Sequence, residues 1–135
     1  MADCIFCSIV AGKSPRTLVE EDERVIAFMD VNPATEGHLL VVPKAHSDDL
    51  RDADPDDLAA AMLMVQGLSR RVTDRLGADG VNLVGCSGRA AWQSVFHTHL
   101  HVVPRYDGDP LRLPWRITPG DAGEIAAAAA RLVAD

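Results

Sequence analysis

The sequence predicts an α+β fold: an antiparallel β-meander of about five strands with one long helix and a C-terminal helix. Short apolar runs separated by turn residues fill residues 17–43, which indicates three strands. A helical period then spans Asp56–Leu76, and residues 81–103 hold two more strand-like runs. Strands that follow one another, rather than alternating with helices, are typical of the α+β class.

The first part of the chain is predicted to form three strands after a compact start. Residues 4–11 form a short helix or turn, which the turn residues of Gly12–Pro15 end. Thr17–Glu20 is a short strand and Val25–Met29 a stronger one. His38–Val42 is an almost continuous apolar run, which indicates a central, buried strand.

The long helix is predicted from its period and its ends. Asp54 and Pro55 are typical of a helix N-terminus, and Gly77 is typical of the residue that follows a helix. Apolar and small residues recur at intervals of three and four, and form the expected buried stripe. They are Leu58, Met62, Val65, Ser69, Val72 and Leu76.

Two strands and a short helix are predicted for the rest. Val81–Gly85 is the fourth strand, and the fifth carries the histidines 97, 99 and 101 and ends at Pro104. Residues 105–120 are rich in proline, glycine and aspartate and are expected to be irregular. An Ala-rich helix over Gly123–Val133 closes the chain.

Length and composition limit the classes of function. The chain has 135 residues, 47% of them hydrophobic and 24% charged, which fits a single globular domain over residues 1–135. A net charge of −7 without a basic run argues against a nucleic-acid polymer as partner. The sequence has no long apolar run or leader pattern and an odd number of cysteines, so we expect a cytoplasmic, reduced protein away from the membrane.

Three histidines at alternate positions mark the chemistry. In a strand, His97, His99 and His101 would share one face about 6.6–6.8 Å apart. Such a row suits a zinc hydrolase with an open metal position, or covalent catalysis by one imidazole while its neighbours handle charge and protons. In the second case, cationic neighbours would lower the pKa of the nucleophile and oppose the negative charge of a phosphorane.

The pair Cys4-x-x-Cys7 has three possible readings. It could be a redox pair, half of a zinc site, or two small buried thiols. The preceding strand that a thioredoxin-like redox motif requires is absent from the predicted elements.

The order of several motifs resembles the histidine-triad (HIT) nucleotide hydrolases and transferases. His97–Val103 is similar to the family signature, and the branch that it most resembles is the histidine-triad nucleotide-binding proteins. The other similar segments, in the expected order over residues 4–106, are Cys4–Ile9, Asp30 with Pro33, Glu36–His46 and Gln93–Val95.

The resemblance implies an activity and roles for the histidines. The expected substrates are adenosine phosphoramidates or related nucleoside monophosphate derivatives. His99 would attack the α-phosphorus and form a nucleotidyl-histidine, and His101 would donate to a phosphoryl oxygen. His38 would support the triad by hydrogen bonding, and the backbone carbonyl of His97 would orient His99.

The resemblance also implies substrate, metal and subunit contacts. Asp30 would bind the ribose hydroxyls, and Gln93 and Ser94 would lie at the phosphate or leaving group. Phe6, Ile9, Phe28 and Val31 would form an apolar base slot. Some relatives hold a structural zinc ion, and the matching ligands here are Cys4, Cys7, His46 and His97. The family usually forms a two-fold homodimer, and no organic cofactor is expected.

Two departures from the family pattern leave alternatives open. Thr98 stands where the family usually has an apolar residue, and its hydroxyl needs a partner if it is buried. In the loop before Gln93, Cys86-Ser87-Gly88 and Trp92 occupy places where the family usually has asparagine and glycine, so no asparagine is in place to contact the ligand, and Trp92 either narrows the site or packs. A nucleotide-binding module with vestigial catalysis and a dinucleoside polyphosphate hydrolase are the alternative functions.

Overall fold

The computed structural model describes residues 3–135. Five strands are formed: β1 (Leu18–Glu21), β2 (Val25–Met29), β3 (Leu39–Pro43), β4 (Gly80–Gly85) and β5 (Leu100–Arg105). Three α-helices accompany them: α1 (Ile5–Val10), α2 (Pro55–Leu76) and α3 (Ala122–Val133). The described residues also include a 3-10 turn at Arg89–Ala91. Among the described residues, no helix has the length and apolar character that a membrane crossing requires.

The strands form one antiparallel sheet in the order β1-β2-β3-β5-β4. The α+β class is confirmed, but the order departs from a simple meander because β5 lies between β3 and β4. Every residue of β3 is buried, as its apolar run predicted. The strand is buried because it is the central strand and both of its faces are covered.

Each face of the sheet packs against a different helix. Side chains alternate along β2 and β3, so successive residues enter two separate cores. One core lies between the sheet and α2: Val25, Ala27, Leu39, Val41 and Val102 pack on Ala61, Met64, Val65, Leu68 and Val72. The other lies under α1: Ile26, Phe28, Leu40 and Val42 pack on Phe6 and Ile9.

The ends of α2 were predicted correctly, but its buried stripe was not. The Asp54 carboxylate accepts the Asp56 N–H at 2.7 Å, and Gly77 ends the helix at φ 72°. Met62 and Leu76, placed in the predicted stripe, are 49% and 41% exposed. The observed stripe includes Ala61 and Met64 instead. A dense run of apolar and small residues fits several helical phases, and only the sheet beneath selects one.

The histidine strand is shorter than predicted. β5 begins at Leu100, so His97 and His99 precede it and only His101 lies within it. The preceding segment is bound to the loop after β3: the Thr98 N–H donates to the Ser47 carbonyl at 2.9 Å, and the two hydroxyls lie 2.6 Å apart. The buried Thr98 hydroxyl therefore has a partner, and the three histidines do not form one equivalent row.

The chain beyond β5 lies largely on the outside of the molecule. Arg105 donates to both carboxylate oxygens of Asp109, at 2.8 and 2.7 Å, and so closes the turn that follows the strand. The predicted C-terminal helix is present as α3, but none of its residues is buried. Trp115 and Ile117 of the irregular segment are also exposed.

Candidate active site

His99 is held in one orientation by a backbone carbonyl. Its Nδ1 lies 2.6 Å from the carbonyl oxygen of His97, and the side chain is buried. A carbonyl only accepts, so Nδ1 carries the proton and Nε2 keeps its lone pair. Burial lowers the pKa of His99, although the His97 carbonyl and Asp30 oppose this effect. A neutral imidazole with a free Nε2 is a nucleophile.

A backbone amide determines which ring nitrogen carries the proton in His38 and in His101. The Ala34 N–H donates to Nδ1 of His38 at 2.9 Å, so neutral His38 carries its proton on Nε2. That nitrogen lies 3.0 Å from Nδ1 of His101, which accepts. Neutral His101 therefore carries its own proton on Nε2. Ala34, His38 and His101 form a chain that ends in an N–H donor.

The four imidazoles at and near the triad favour their neutral forms, which corrects one expectation. Cationic neighbours were expected to lower the pKa of the nucleophile. Instead, burial is the largest cause in His38, His97 and His99, and it lowers the pKa of His101 to about 4, helped by His99 and His38. Near neutral pH the site therefore presents oriented N–H donors rather than preformed cations.

Asp30 lies against the same pair of imidazoles. One carboxylate oxygen accepts the Asn32 N–H at 2.8 Å, and the other lies 3.4 Å from His38 Nε2 and 3.8 Å from His101 Nδ1. These three side chains are spaced as metal ligands would be. The bond from Ala34 excludes that role, because an imidazole that accepts at Nδ1 has no lone pair at Nε2 for a metal.

Three of the four predicted base-slot residues come together. Phe6, Ile9 and Phe28 belong to one buried cluster, and the Phe6 ring lies 5.6 Å from the Phe28 ring. The Phe6 ring also lies 5.0 Å from the His99 ring, edge to face. Val31 is set apart from this cluster at 89% exposure. α1 therefore supplies an apolar wall beside His99.

The two residues that precede the histidines have different environments. Ser94 is exposed and lines a cleft of about 470 Å³ with His46 and Asp48. Gln93 is buried: its Oε1 accepts the Gly88 N–H at 2.7 Å, and its Nε2 donates to the carbonyls of Asp48 and Val95. The amide of Gln93 therefore holds two loops together, and its expected place at the phosphate or leaving group stays a prediction.

Cys4, Cys7, His46 and His97 converge on one point. Their four ligand atoms lie within 4.8 Å of one another. His97 Nδ1 lies 3.3 Å from Cys4 Sγ, 3.5 Å from Cys7 Sγ and 3.2 Å from His46 Nδ1. A zinc tetrahedron built from ordinary Zn–S and Zn–N bonds has N···S edges of about 3.5 Å and N···N edges of about 3.3 Å.

The proton positions also fit a metal at this cluster. His97 Nε2 lies 2.8 Å from the Pro43 carbonyl, and His46 Nε2 lies 3.1 Å from the Asp48 carboxylate. Both Nε2 atoms therefore donate, and both Nδ1 lone pairs face the cluster, as bound histidines require. The Cys7 N–H donates to Cys4 Sγ at 3.3 Å. Two thiols and two imidazoles give four ligands with no open position.

Three contributors to the site were missed in the sequence. The Ala34 amide and the Pro43 carbonyl fix imidazole protons, but backbone groups carry no side-chain signal. Asp48, which accepts from His46, stands two residues after a predicted ligand, and that spacing was a usable signal.

Known proteins resemble this chain in both sequence and structure. A family model described as "HIT domain" matches residues 11–108. A protein of Streptococcus mutans of known structure is 35% identical, with a TM-score of 0.92 over 98% of this chain and 84% of that chain. A zinc-bound histidine triad family protein from Mycobacterium smegmatis is 42% identical, with a TM-score of 0.79 over 97% of this chain and 96% of that chain. The adenylylsulfatase HINT3 of Arabidopsis thaliana is 38% identical over 81% of this chain, which spans 55% of that longer protein.

Proposed function

The chain belongs to the HIT domain family, and from that premise we propose that it is a nucleotidyl hydrolase or transferase. Its substrates are nucleoside phosphoramidates, adenosine ones first, or related derivatives of a nucleoside monophosphate. The reaction passes through a nucleotide bound covalently to His99.

One observation carries this proposal: the His97 carbonyl lies 2.6 Å from Nδ1 of the buried His99. The bond leaves the lone pair of Nε2 for attack on the α-phosphorus. As the Nε2–P bond forms, the P–N bond to the leaving amine breaks, and its electron pair stays on the amine nitrogen, which takes a proton from solvent. His101 keeps its Nε2 proton and donates it in a hydrogen bond to a phosphoryl oxygen, where negative charge gathers. Water or another acceptor then displaces Nε2 and releases the nucleotide.

The surrounding residues have supporting roles in this proposal. Asp30 binds the ribose hydroxyls while its second oxygen keeps its bond to Asn32. Phe6, Ile9 and Phe28 form the inner wall of the base slot, and Val31 covers its outer side. Ser94 contacts the phosphate or leaving group, and His38 holds His101 in the donating form.

We further propose that Cys4, Cys7, His46 and His97 hold a structural zinc ion. The ion would supply a cross-link between α1 and the segment before β5, and would take no part in the chemistry because its four ligands close the tetrahedron. Support comes from the distances and proton positions of the cluster and from the zinc-bound Mycobacterium relative. We also propose that residues 1–135 act as one domain in the cytoplasm and that two copies form a homodimer.

The test compares wild-type protein with His99→Ala on an adenosine phosphoramidate. The variant is expected to keep its folded circular dichroism spectrum and to lose turnover by at least about a thousandfold, as loss of a covalent nucleophile does. The adduct on His99 is sought by mass spectrometry after a rapid alkaline quench, because a P–N bond to histidine hydrolyses in acid. Retained turnover in the variant would contradict the proposal.

The same assay separates the alternatives. Dinucleoside polyphosphates and adenylyl sulfate are run beside the phosphoramidate, and the preferred leaving group is read from kcat/KM. Tight AMP binding without turnover of any of them would identify a binding module with vestigial catalysis. A zinc hydrolase would lose activity on chelation before it lost stability, whereas a closed structural site predicts the reverse order.

A further inference from the structure

The loop between β2 and β3 carries the Ala34 amide, and core packing holds little of this loop. Residues 31–34 and Glu36 are exposed, yet the Ala34 N–H lies 2.9 Å from Nδ1 of the buried His38. A hydrogen bond weakens steeply once its angle is lost, so the amide has to be held in place. Contacts other than burial must therefore fix the loop.

Thr35 connects the loop to the end of β5. Pro104 lies beyond the last residue pair that β3 and β5 form, and its carbonyl oxygen accepts the Thr35 hydroxyl at 2.5 Å. The Thr35 carbonyl in turn accepts the His38 N–H at 3.2 Å. One residue, which directly follows Ala34, thus links β5 to the backbone of His38.

Tyr106 connects the same loop to the core beneath α2. Its half-buried ring packs against that core, and its hydroxyl donates to the Glu36 carbonyl at 2.8 Å. The next residue, Gly37, has φ 87°, and a Cβ there would lie 2.5 Å from Leu76 and 3.3 Å from Pro104. Glycine is the residue that fits, because it tolerates both this φ and the close approach. The loop is therefore seated tightly where α2 and β5 end.

The two hydroxyls act on the stretch between Ala34 and His38. Asp30 is held by separate bonds: its N–H donates to the His38 carbonyl at 3.1 Å, and its carboxylate accepts the Asn32 N–H at 2.8 Å. Loss of a hydroxyl should therefore disturb the Ala34 amide more than it disturbs Asp30.

We propose that Thr35 and Tyr106 are positioning residues of the reaction, whose hydroxyls hold the Ala34 amide against His38. The amide keeps the His38 proton on Nε2, and His101 then directs its own N–H at the phosphoryl oxygen. The effect on turnover rests on the proposed function, whereas the effect on the His38 proton does not.

The first test measures where His38 carries its proton. Ring ¹⁵N chemical shifts are recorded in unliganded wild-type protein, Thr35→Val, Tyr106→Phe and the double variant. Wild-type His38 is expected in the Nε2-protonated form, and each variant is expected to show a share of the Nδ1-protonated form, largest in the double variant. Wild-type shifts in all three variants would overturn the proposal.

Thr73→Val is the matched control for Thr35→Val. It removes a threonine hydroxyl that donates to the Ser69 carbonyl at 2.9 Å on an exposed part of α2. The ring shifts of His38 and kcat should both stay at their wild-type values in this variant. Circular dichroism and the thermal midpoint establish that each variant is folded.

The second test measures kcat and KM on an adenosine phosphoramidate. Thr35→Val and Tyr106→Phe are each expected to lower kcat by about three- to tenfold, the size of one hydrogen bond. KM should change less, because Asp30 has its own bonds. Thr35→Ser restores the hydroxyl and should recover kcat, and a serine variant as slow as the valine variant would contradict the role of this bond.

A double-mutant cycle distinguishes positioning from a general loosening of the fold. Ala34→Pro removes the amide on which both hydroxyls are proposed to act, so adding Thr35→Val to it should cause little further loss of kcat. Independent effects would instead multiply. Multiplied losses would overturn the proposal.

The outcomes also separate this inference from the proposed function. If wild-type protein cleaves no phosphoramidate but the His38 shifts respond as expected, the proposed function fails and the hold on the His38 proton stands. If wild-type protein cleaves the substrate while the shifts and kcat of both single variants stay unchanged, the positioning role alone is overturned.

Discussion

The backbone N–H of Ala34 donates to Nδ1 of His38 across 2.9 Å, and this bond determines where two imidazoles carry their protons. It places the His38 proton on Nε2, toward His101, and excludes a metal at the neighbouring Asp30. A single loop amide thus decides whether Nε2 of His38 is a proton donor or a metal ligand. The metal-like spacing of these side chains alone would not have made that distinction.

Without this amide, the proton of neutral His38 should no longer be fixed on Nε2. Ala34→Pro deletes the N–H and keeps an apolar side chain, whereas Ala34→Gly keeps the N–H and is the control. We expect the proline variant to populate both neutral forms of His38, measured by the ring ¹⁵N chemical shifts, and to lose about tenfold in kcat through the disordered donor. A proline variant with wild-type ring shifts would contradict the assignment.

The depressed pKa of His101 predicts a pH dependence of stability. Its folded-state pKa is about 4 against an ordinary 6.5, so between these values the unfolded chain binds more protons than the folded chain. The free energy of unfolding should therefore rise with pH across this window, at up to roughly 1.4 kcal/mol per pH unit from this group. Urea unfolding at several pH values measures the slope. His101→Gln should reduce it, while the lowered pKa values of His38, His97 and His99 keep part of it. Equal slopes in the two proteins would show that His101 titrates normally.

Metal removal should act first on stability. Cys7→Ser removes one ligand of the four-residue cluster, and Cys86→Ser changes a cysteine outside it. We expect about one zinc per chain in wild-type protein and in the Cys86 variant, and a thermal midpoint several degrees lower in the Cys7 variant, since about 1 kcal/mol corresponds to roughly 4 °C in a chain of this size. Elemental analysis and scanning calorimetry measure both. Equal zinc content in the two variants would count against the site.

The buried face of α2 can be tested by comparing two leucines of this helix, one buried and one exposed. Leu68 is 1% exposed and Leu63 is 70% exposed. Leu68→Ala should lower the free energy of unfolding by about 2–5 kcal/mol, because it leaves a cavity under the sheet. Leu63→Ala should change it by less than about 0.5 kcal/mol. Chemical denaturation measures both, and similar losses would mean that the helix buries another face.

Periodicity predicted most of the elements because strand and helix periods are properties of the side chains themselves. Val25–Met29 was predicted to the residue, and the ends of α2 were clear from Asp54, Pro55 and Gly77. The phase of the α2 stripe was wrong because Ala61 and Met62 are equally acceptable to the pattern, and only the shape of the sheet chooses between them.

The candidate site was predicted as a set of residues but not as an arrangement. The resemblance named His38, His99 and His101 as one group, and the structure places their side chains next to one another. Their catalytic roles stay predictions. Alternation in a strand was the wrong geometry for His97 and His99, because Thr98 bonds to Ser47 instead of to a strand partner. The decisive contacts of Ala34, Pro43 and His97 are made by backbone groups, which are the same in every residue and leave no trace in composition.

The contact between Cys4 and His97 spans 93 positions of the chain. Closing a loop of that length costs conformational entropy that a short loop does not, so the contact forms late, after the sheet has brought the two segments together. During synthesis, Cys4 and Cys7 leave the ribosome long before His97 is made. The cluster therefore joins segments that the sheet has already brought together, and its closure also positions the His97 carbonyl that accepts from His99.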